Sequence, residues 1–462
     1  MLPSTSDYLL KNARVPLSLL EHKSIAQSAS SVTAAAGTQI DFCMVDLEIV
    51  AGAIAQIIPA SQEDLFPIVD KPIVDLCNGL VLPCFVDMHT HLDKGHIWER
   101  SPNPDGTFAS AINAVRADAQ KHWNAEDVYR RMQFGLKCSY AHGTKAIRTH
   151  IDAAGEQGTV SLAVFAALQA EWRDRLILQA VSLVSLDYFL TPAGEKLADK
   201  IAEIGGILGG VAYMNSDLDK QLDRVFSLAQ ERGLNLDFHT DETDDPKSTT
   251  LREVAKTAIR HEFSGQIICG HCCSLAVQPP ELVTETLTLV NEANIGIVSL
   301  PMCNLYLQDR QSGRTPRWRG VTLLHELKAA AIPVAVASDN CRDPFYGFGD
   351  HDVLEVLNMA ARIAHLDRPW EDWPRTVTET PADLMGLPNL GRIKVGLPAD
   401  LILFKARNFS ELLSRSQRDR TVVRQGKEID TTLPDYRELD DLLQEDSAVE
   451  TASIQTKPAD AG

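Results

Sequence analysis

Between residues 81 and 340 the chain alternates short apolar runs with segments of helical, charge-faced pattern. Eight apolar runs stand out: Val81–His91, Lys145–Asp152, Leu176–Ser185, Gly206–Asn215, Leu234–Glu242, Gln266–Cys272, Gly296–Asn304 and Pro333–Asn340. Between them lie helical stretches such as Asp127–His142, Gln221–Arg232, Pro280–Ala293 and Val321–Ala331. Strand and helix in strict alternation imply parallel strands, because a parallel pair needs a crossover. Strands buried on both faces read as near-continuous apolar runs, as these do. Eight such units predict a closed α/β fold, a (β/α)8 TIM barrel, over residues 83–390.

The flanks read differently. Val45-Asp-Leu-Glu-Ile-Val has a period of two, then a Gly/Ala turn and Ile54–Ile58. Near the other end, Leu401-Ile-Leu-Phe precedes a hairpin pattern, Val422-Val-Arg-Gln-Gly-Lys-Glu-Ile. Residues 1–82 and 391–433 are therefore expected to form one small β-sandwich from both chain ends. The first dozen residues are expected to be loose. Residues 434–462 read as an acidic tail, disordered apart from a short helix around Tyr436–Leu443.

A formal net charge of −19 argues against nucleic acid or an anionic membrane as partner. No run approaches the roughly 18 apolar residues of a membrane span, and the N-terminus lacks a signal-peptide layout, so a cytoplasmic protein is expected. The nine cysteines are odd in number and sit mostly in apolar runs, which argues against a disulfide framework. Homo-oligomerisation stays open.

Barrels of this kind place their chemistry at the C-terminal ends of the strands. There the runs end in titratable groups: His89-Thr-His91, Arg148-Thr-His150-Ile-Asp152, His239-Thr-Asp-Glu242, Gly270-His271 and Ser338-Asp339-Asn340. Residues i and i+2 of a strand share a face, so His89 and His91 can share one ion. Each residue has a plainer reading alone: a core histidine, a helix cap at Asp339, a solvated acidic loop at Glu242. Together on one rim they predict a metal site.

These stretches resemble the amidohydrolase superfamily, on Phe85-Val-Asp-Met-His89-Thr-His91, His239, His271, Ser338-Asp339 and Gly396-Leu-Pro-Ala-Asp400. Within it, His91-Leu-Asp93, Arg148-Thr-His150-Ile-Asp152, His239-Thr-Asp-Glu242-Thr-Asp-Asp245, Leu307-Gln-Asp-Arg310, Arg319-Gly320 and Asp343-Pro344-Phe-Tyr look like the cytosine deaminase branch. Strand four offers Val211-Ala-Tyr213-Met214-Asn215 and no bridging lysine. The resemblance therefore implies one divalent ion per chain, Zn2+ or Fe2+, held by His89, His91, His239 and Asp339.

It further implies the catalytic roles. Asp339 would also accept a proton from the attacking water, His271 would stabilise the developing charge, and Glu242 would protonate a ring nitrogen. Metal-activated water would attack an amidine carbon of a small amino-substituted N-heterocycle and release ammonia.

Ser185, His150, Asn340 and Phe345 fall at the expected substrate positions. Three depart from the branch: Ser185 stands in place of a glutamine, Asn340 of an aspartate and Phe345 of a tryptophan, so cytosine itself is disfavoured. Ser-Asp-Asn on strand eight also resembles isopropylammelide amidohydrolases. That keeps a second reading, cleavage of a cyclic amide or N-alkylamino heterocycle at the same metal. A non-catalytic relative would be expected to have lost a ligand or the acid, and here all are present.

Overall fold

The computed structural model describes residues 2–20, 42–60, 71–368, 370, 372–415 and 419–443. Its centre is a ring of eight parallel strands: β1 (Phe85–Thr90), β2 (Thr144–Asp152), β3 (Ile177–Leu183), β4 (Leu208–Ala212), β5 (Leu236–Thr240), β6 (Ile267–His271), β7 (Ile295–Ser299) and β8 (Val334–Val336). β1 pairs with β2 and β2 with β3, while β4 to β8 run side by side. Bridges Val181–Ile207 and Ser185–Val211 join the β3 side to β4, and Thr90–Asp339 joins β1 to the end of β8. The ring is closed, as the alternation predicts.

Two strand boundaries differ from the sequence reading. The run Val81–His91 breaks at Cys84: Val81–Pro83 pairs antiparallel with Leu401–Leu403 in a separate sheet, and only Phe85 onward enters the barrel. The run Gly296–Asn304 ends as a strand at Ser299, and Pro301–Leu307 is a helix with proline in its first turn. Proline is pre-set for that position, and the helix is apolar enough to read as a continuing strand.

The helix Glu379–Leu384 packs Ala382 and Leu384 against Val86, Ile268, Val298 and Ala335. Residues two apart on a strand share a face, so Arg148 lies on the face of His150, and Asp237 on that of His239. There Arg148 Nη1 donates to Asp237 Oδ2 at 2.8 Å and its Nε and Nη2 donate to Gln179 Oε1 at 3.1 and 2.9 Å. Burial pushes the Asp237 carboxyl up to about 6, and Arg148 holds it back from rising further. Removing one partner of such a pair leaves an uncompensated buried charge. Arg148→Met should therefore lower unfolding stability by about 3–5 kcal/mol in denaturant titration. A loss below about 1 kcal/mol, the range of an exposed pair, would show that the pair does not support the barrel.

Beside the barrel, Ala53–Pro59, Phe42–Val50, Tyr8–Pro16 and Ile73–Asp75 form one sheet, and Lys427–Glu428, Thr421–Arg424, Leu401–Leu403 and Val81–Pro83 another. Tyr8, Leu10, Val45, Leu47, Val81, Leu401 and Val423 share one core, so both chain ends build the sandwich. Tyr8–Pro16 begins inside the first dozen residues, the stretch expected to be loose. A bulge at Lys11–Asn12, with Asn12 at φ +56°, breaks its alternation and hides the strand in the sequence.

Residues 436–443 are helical, started by a capping box at Asp435 and Glu438. They pack on the helix Ala125–Ala141, with Leu439 buried against Phe134 and Cys138, and with Arg130–Asp441 and Lys137–Glu438 pairs at 2.6 and 2.8 Å. The short helix expected around Tyr436–Leu443 is present, and the remainder of the tail, residues 444–462, lies outside the described residues. No helix among the described residues is long and apolar enough to cross a membrane. All nine cysteines are free.

Candidate active site

Three of the strand ends that carry the titratable groups turn sharply. Asp241, His271 and Asp339 have φ of +52°, +68° and +64°. Non-glycine residues hold that conformation at a cost of order 1–3 kcal/mol, so it persists only where the surroundings enforce it. Here it turns the chain at the ends of β5, β6 and β8. Asp241 is itself a structural device. Its carboxylate accepts from Thr250 N at 2.7 Å, Leu251 N at 3.0 Å and Ser248 Oγ at 2.7 Å, fixing the loop after β5. Asp87 fixes β8 similarly, accepting Ser338 N at 3.1 Å and Ser338 Oγ at 2.6 Å.

His89, His91, His239 and Asp339 converge. His91 Nε2 lies 3.2 Å and His89 Nε2 3.6 Å from Asp339 Oδ1, and His239 Nε2 lies 3.3 Å from His91 Nε2. The exposures of these four residues are 0%, 4%, 6% and 0% in chain order. Gly270 leaves room for the first ring, since a Cβ there would sit 3.0 Å from His89 Cε1.

The donor set fits a divalent ion. Ligands placed tetrahedrally at 2.0–2.1 Å from zinc are about 3.3 Å apart, which matches these separations. Both Asp339 oxygens, both His89 ring nitrogens and Nδ1 of His91 and His239 are buried without a hydrogen-bond partner. So many orphaned polar atoms in one place are costly unless a cation gathers them. Burial, reinforced by neighbouring positive groups, drives His89 and His239 well below the ordinary histidine range, which keeps them in the neutral, ligating form. For Asp339, burial pushes upward, but the adjacent imidazoles of His91 and His271 outweigh it and hold the carboxyl below its usual range.

His271 and Glu242 stand beside this cluster. Burial pushes Glu242 well above the usual carboxylate range, the Asp339 charge adds to this, and Lys94 and an Asn304 hydrogen bond only partly oppose it. Asn304 Nδ2 donates to Glu242 Oε1 at 3.1 Å and lies 3.0 Å from His271 Nδ1. If His271 Nδ1 accepts that proton, its own proton sits on Nε2, which has no protein partner. Burial lowers His271 to about 4, so the ring is neutral near pH 7. Asn304 is fully buried on the helix after β7, and sequence reading gave it no role. The signal available was its polar side chain inside the apolar run Pro301-Met-Cys-Asn-Leu-Tyr-Leu.

The expected substrate residues are placed unequally. Ser185 is exposed at the end of β3, facing β4 through its bridge to Val211. Phe345 is half-buried, edge-on to Phe108 at 5.5 Å and with Lys94 Nζ 5.5 Å from its ring centre. Asn340 gives its amide to Asp343 Oδ2 at 2.7 Å. His150 has no exposed surface; it lies 3.9 Å from the His89 ring with Nε2 3.8 Å from Asp237 Oδ1. With His89 and His239 it also brings three ring nitrogens within 4.8 Å of one another.

Residues 128–429 match the model of the amidohydrolase family. A pterin deaminase of Rhizobium rhizogenes strain K84 is 48% identical over 443 residues, 96% of this chain and 98% of the relative. An N-isopropylammelide isopropyl amidohydrolase of Pseudomonas sp. strain ADP is 24% identical over 351 residues, 73% of this chain and 82% of the relative. Among solved structures, a 5-methylcytosine deaminase from Klebsiella pneumoniae bound to 5-fluorocytosine superposes with a TM-score of 0.76 at 26% identity, covering 91% of this chain and 97% of that one. The chain belongs to the amidohydrolase family and is a hydrolase of carbon–nitrogen bonds other than peptide bonds.

Proposed function

We propose that this enzyme hydrolytically deaminates an amino-substituted N-heterocycle of the pterin class. The observation that carries the reading is the placing of Glu242, 3.3 Å from His271 Nδ1 and raised by burial well above the usual carboxylate range, beside a His/Asp cluster suited to one divalent ion. A saturated amide has little use for such an acid; an aromatic amidine needs its ring nitrogen protonated before the adjacent carbon accepts water. The pterin class is supported by the relative at 48% identity.

His89, His91, His239 and Asp339 would hold the ion, and three nitrogens with one carboxylate suit Zn2+ or Fe2+. When bound, it supplies a water acidic enough to attack near neutral pH. Asp339 would take a proton from the attacking water at its unpartnered Oδ2 and hand it on for the departing amine. Glu242 gives its proton to the ring nitrogen and relays the next to the departing amine. His271 donates from Nε2 to the oxygen that gains charge. The water's oxygen becomes the product carbonyl; one of its protons ends on the ring nitrogen and the other on ammonia.

Ser185, too short to offer a donor and an acceptor side by side, leaves space at the β3 rim for a second ring. Phe345 offers a face for that ring. We assign His150 to supporting the His89 ring and Asn340 to fixing the Asp343 loop, in place of the direct substrate contacts the sequence suggests.

A heterocycle panel tests the reading by its released product. Pterin should yield ammonia at a higher kcat/KM than cytosine. A panel in which N-alkylamino substrates release amine, or cyclic amides open to acids, while no aminoheterocycle yields ammonia would replace deamination by the second reading.

A further inference from the structure

Three metal-binding side chains outside the site above meet in the core. His96, in the loop after β1, and Cys341 and His351, in the segment after β8, bring their ligand atoms within 4.8 Å of one another. Each is 2% exposed. His96 Nε2 and His351 Nε2 face each other at 3.3 Å, and Nδ1 of each ring has no partner. That separation is again the one that tetrahedral ligands of zinc require, about 3.3 Å.

The surroundings are shaped around these rings. His96 and His351 both hold left-handed backbone, φ +61° and +54°, which non-glycine residues adopt only under constraint. Gly135 lies inside the helix Ala125–Ala141, where glycine costs about 1 kcal/mol relative to alanine. A Cβ there would come within 2.9 Å of His351 Nε2, so glycine keeps open the space beside that nitrogen.

We propose that His96, Cys341 and His351 form a second, structural site for a zinc-like divalent ion, tying the loop after β1 to the loop after β8. A soft thiolate with two imidazoles selects such an ion over magnesium or calcium. Binding releases the Cys341 proton to solvent. A water or the neighbouring Cys138 would complete four-coordination. The ion would brace the same two strand ends that carry His89, His91 and Asp339, along with the segment bearing Phe345. A plain hydrogen bond between two buried imidazoles is the competing explanation, and it binds no metal.

Cobalt distinguishes them, because none of the four side chains that would hold an ion at the first site offers a sulfur. Full-length protein loaded with Co2+ should carry about two ions per chain and show a near-ultraviolet thiolate-to-cobalt band. Cys341→Ser and, separately, His351→Gln should abolish the band and reduce the content to about one ion. The band should survive in His239→Ala, so loss of the first site alone leaves this proposal intact. Wild-type protein that binds cobalt without a thiolate band, or a band that persists in Cys341→Ser, would overturn it.

Discussion

Glu242→Gln should keep its metal and lose turnover by roughly 10²–10⁴-fold, the usual contribution of a general acid–base group. The substitution preserves shape, and a glutamine oxygen can still accept from Asn304 Nδ2 as Glu242 Oε1 does at 3.1 Å. What disappears is the transferable proton of a carboxyl that burial and the Asp339 charge push well above its usual range. Because the proton matters in the transition state more than in substrate binding, the loss should fall on kcat with little change in KM. Steady-state kinetics alongside metal analysis separate the cases. A fully active Glu242→Gln enzyme would remove the acid from the mechanism and with it the main argument for deamination.

Asp339→Asn should be more severe, exceeding the roughly 10²–10⁴-fold of an acid–base group alone. It removes a ligand charge as well as a proton acceptor. The three imidazoles would then face an ion without the carboxylate that now lies 3.2 Å from His91 and 3.6 Å from His89. Metal content should fall, and excess metal should restore binding without restoring turnover. Recovery of full activity on adding metal would reduce Asp339 to a ligand with no part in proton transfer.

Much of this arrangement was legible in the chain because two periodicities dominate it. Buried parallel strands need unbroken apolar runs, and barrel chemistry sits where those runs end. His89, His91, His239, His271 and Asp339 could therefore be read as one constellation without coordinates. Asn304 could not, because a helix starting at Pro301 with apolar neighbours imitates a strand. His150 shares the strand-end signature, but only packing shows its ring lying on His89 at 3.9 Å rather than at the open rim. The bulge at Asn12 concealed the Tyr8–Pro16 strand for the opposite reason, a break in pattern where structure continues. The pairing of His96 with His351 spans 255 residues and carries no local signal.

Anomalous diffraction from crystals of the metal-loaded enzyme tests the central claim most directly. The account predicts a peak at about 2.0–2.2 Å from a nitrogen of each of His89, His91 and His239 and from an oxygen of Asp339. Metal-loaded crystals with no peak among those four side chains, or with the ion held by other residues, would contradict it.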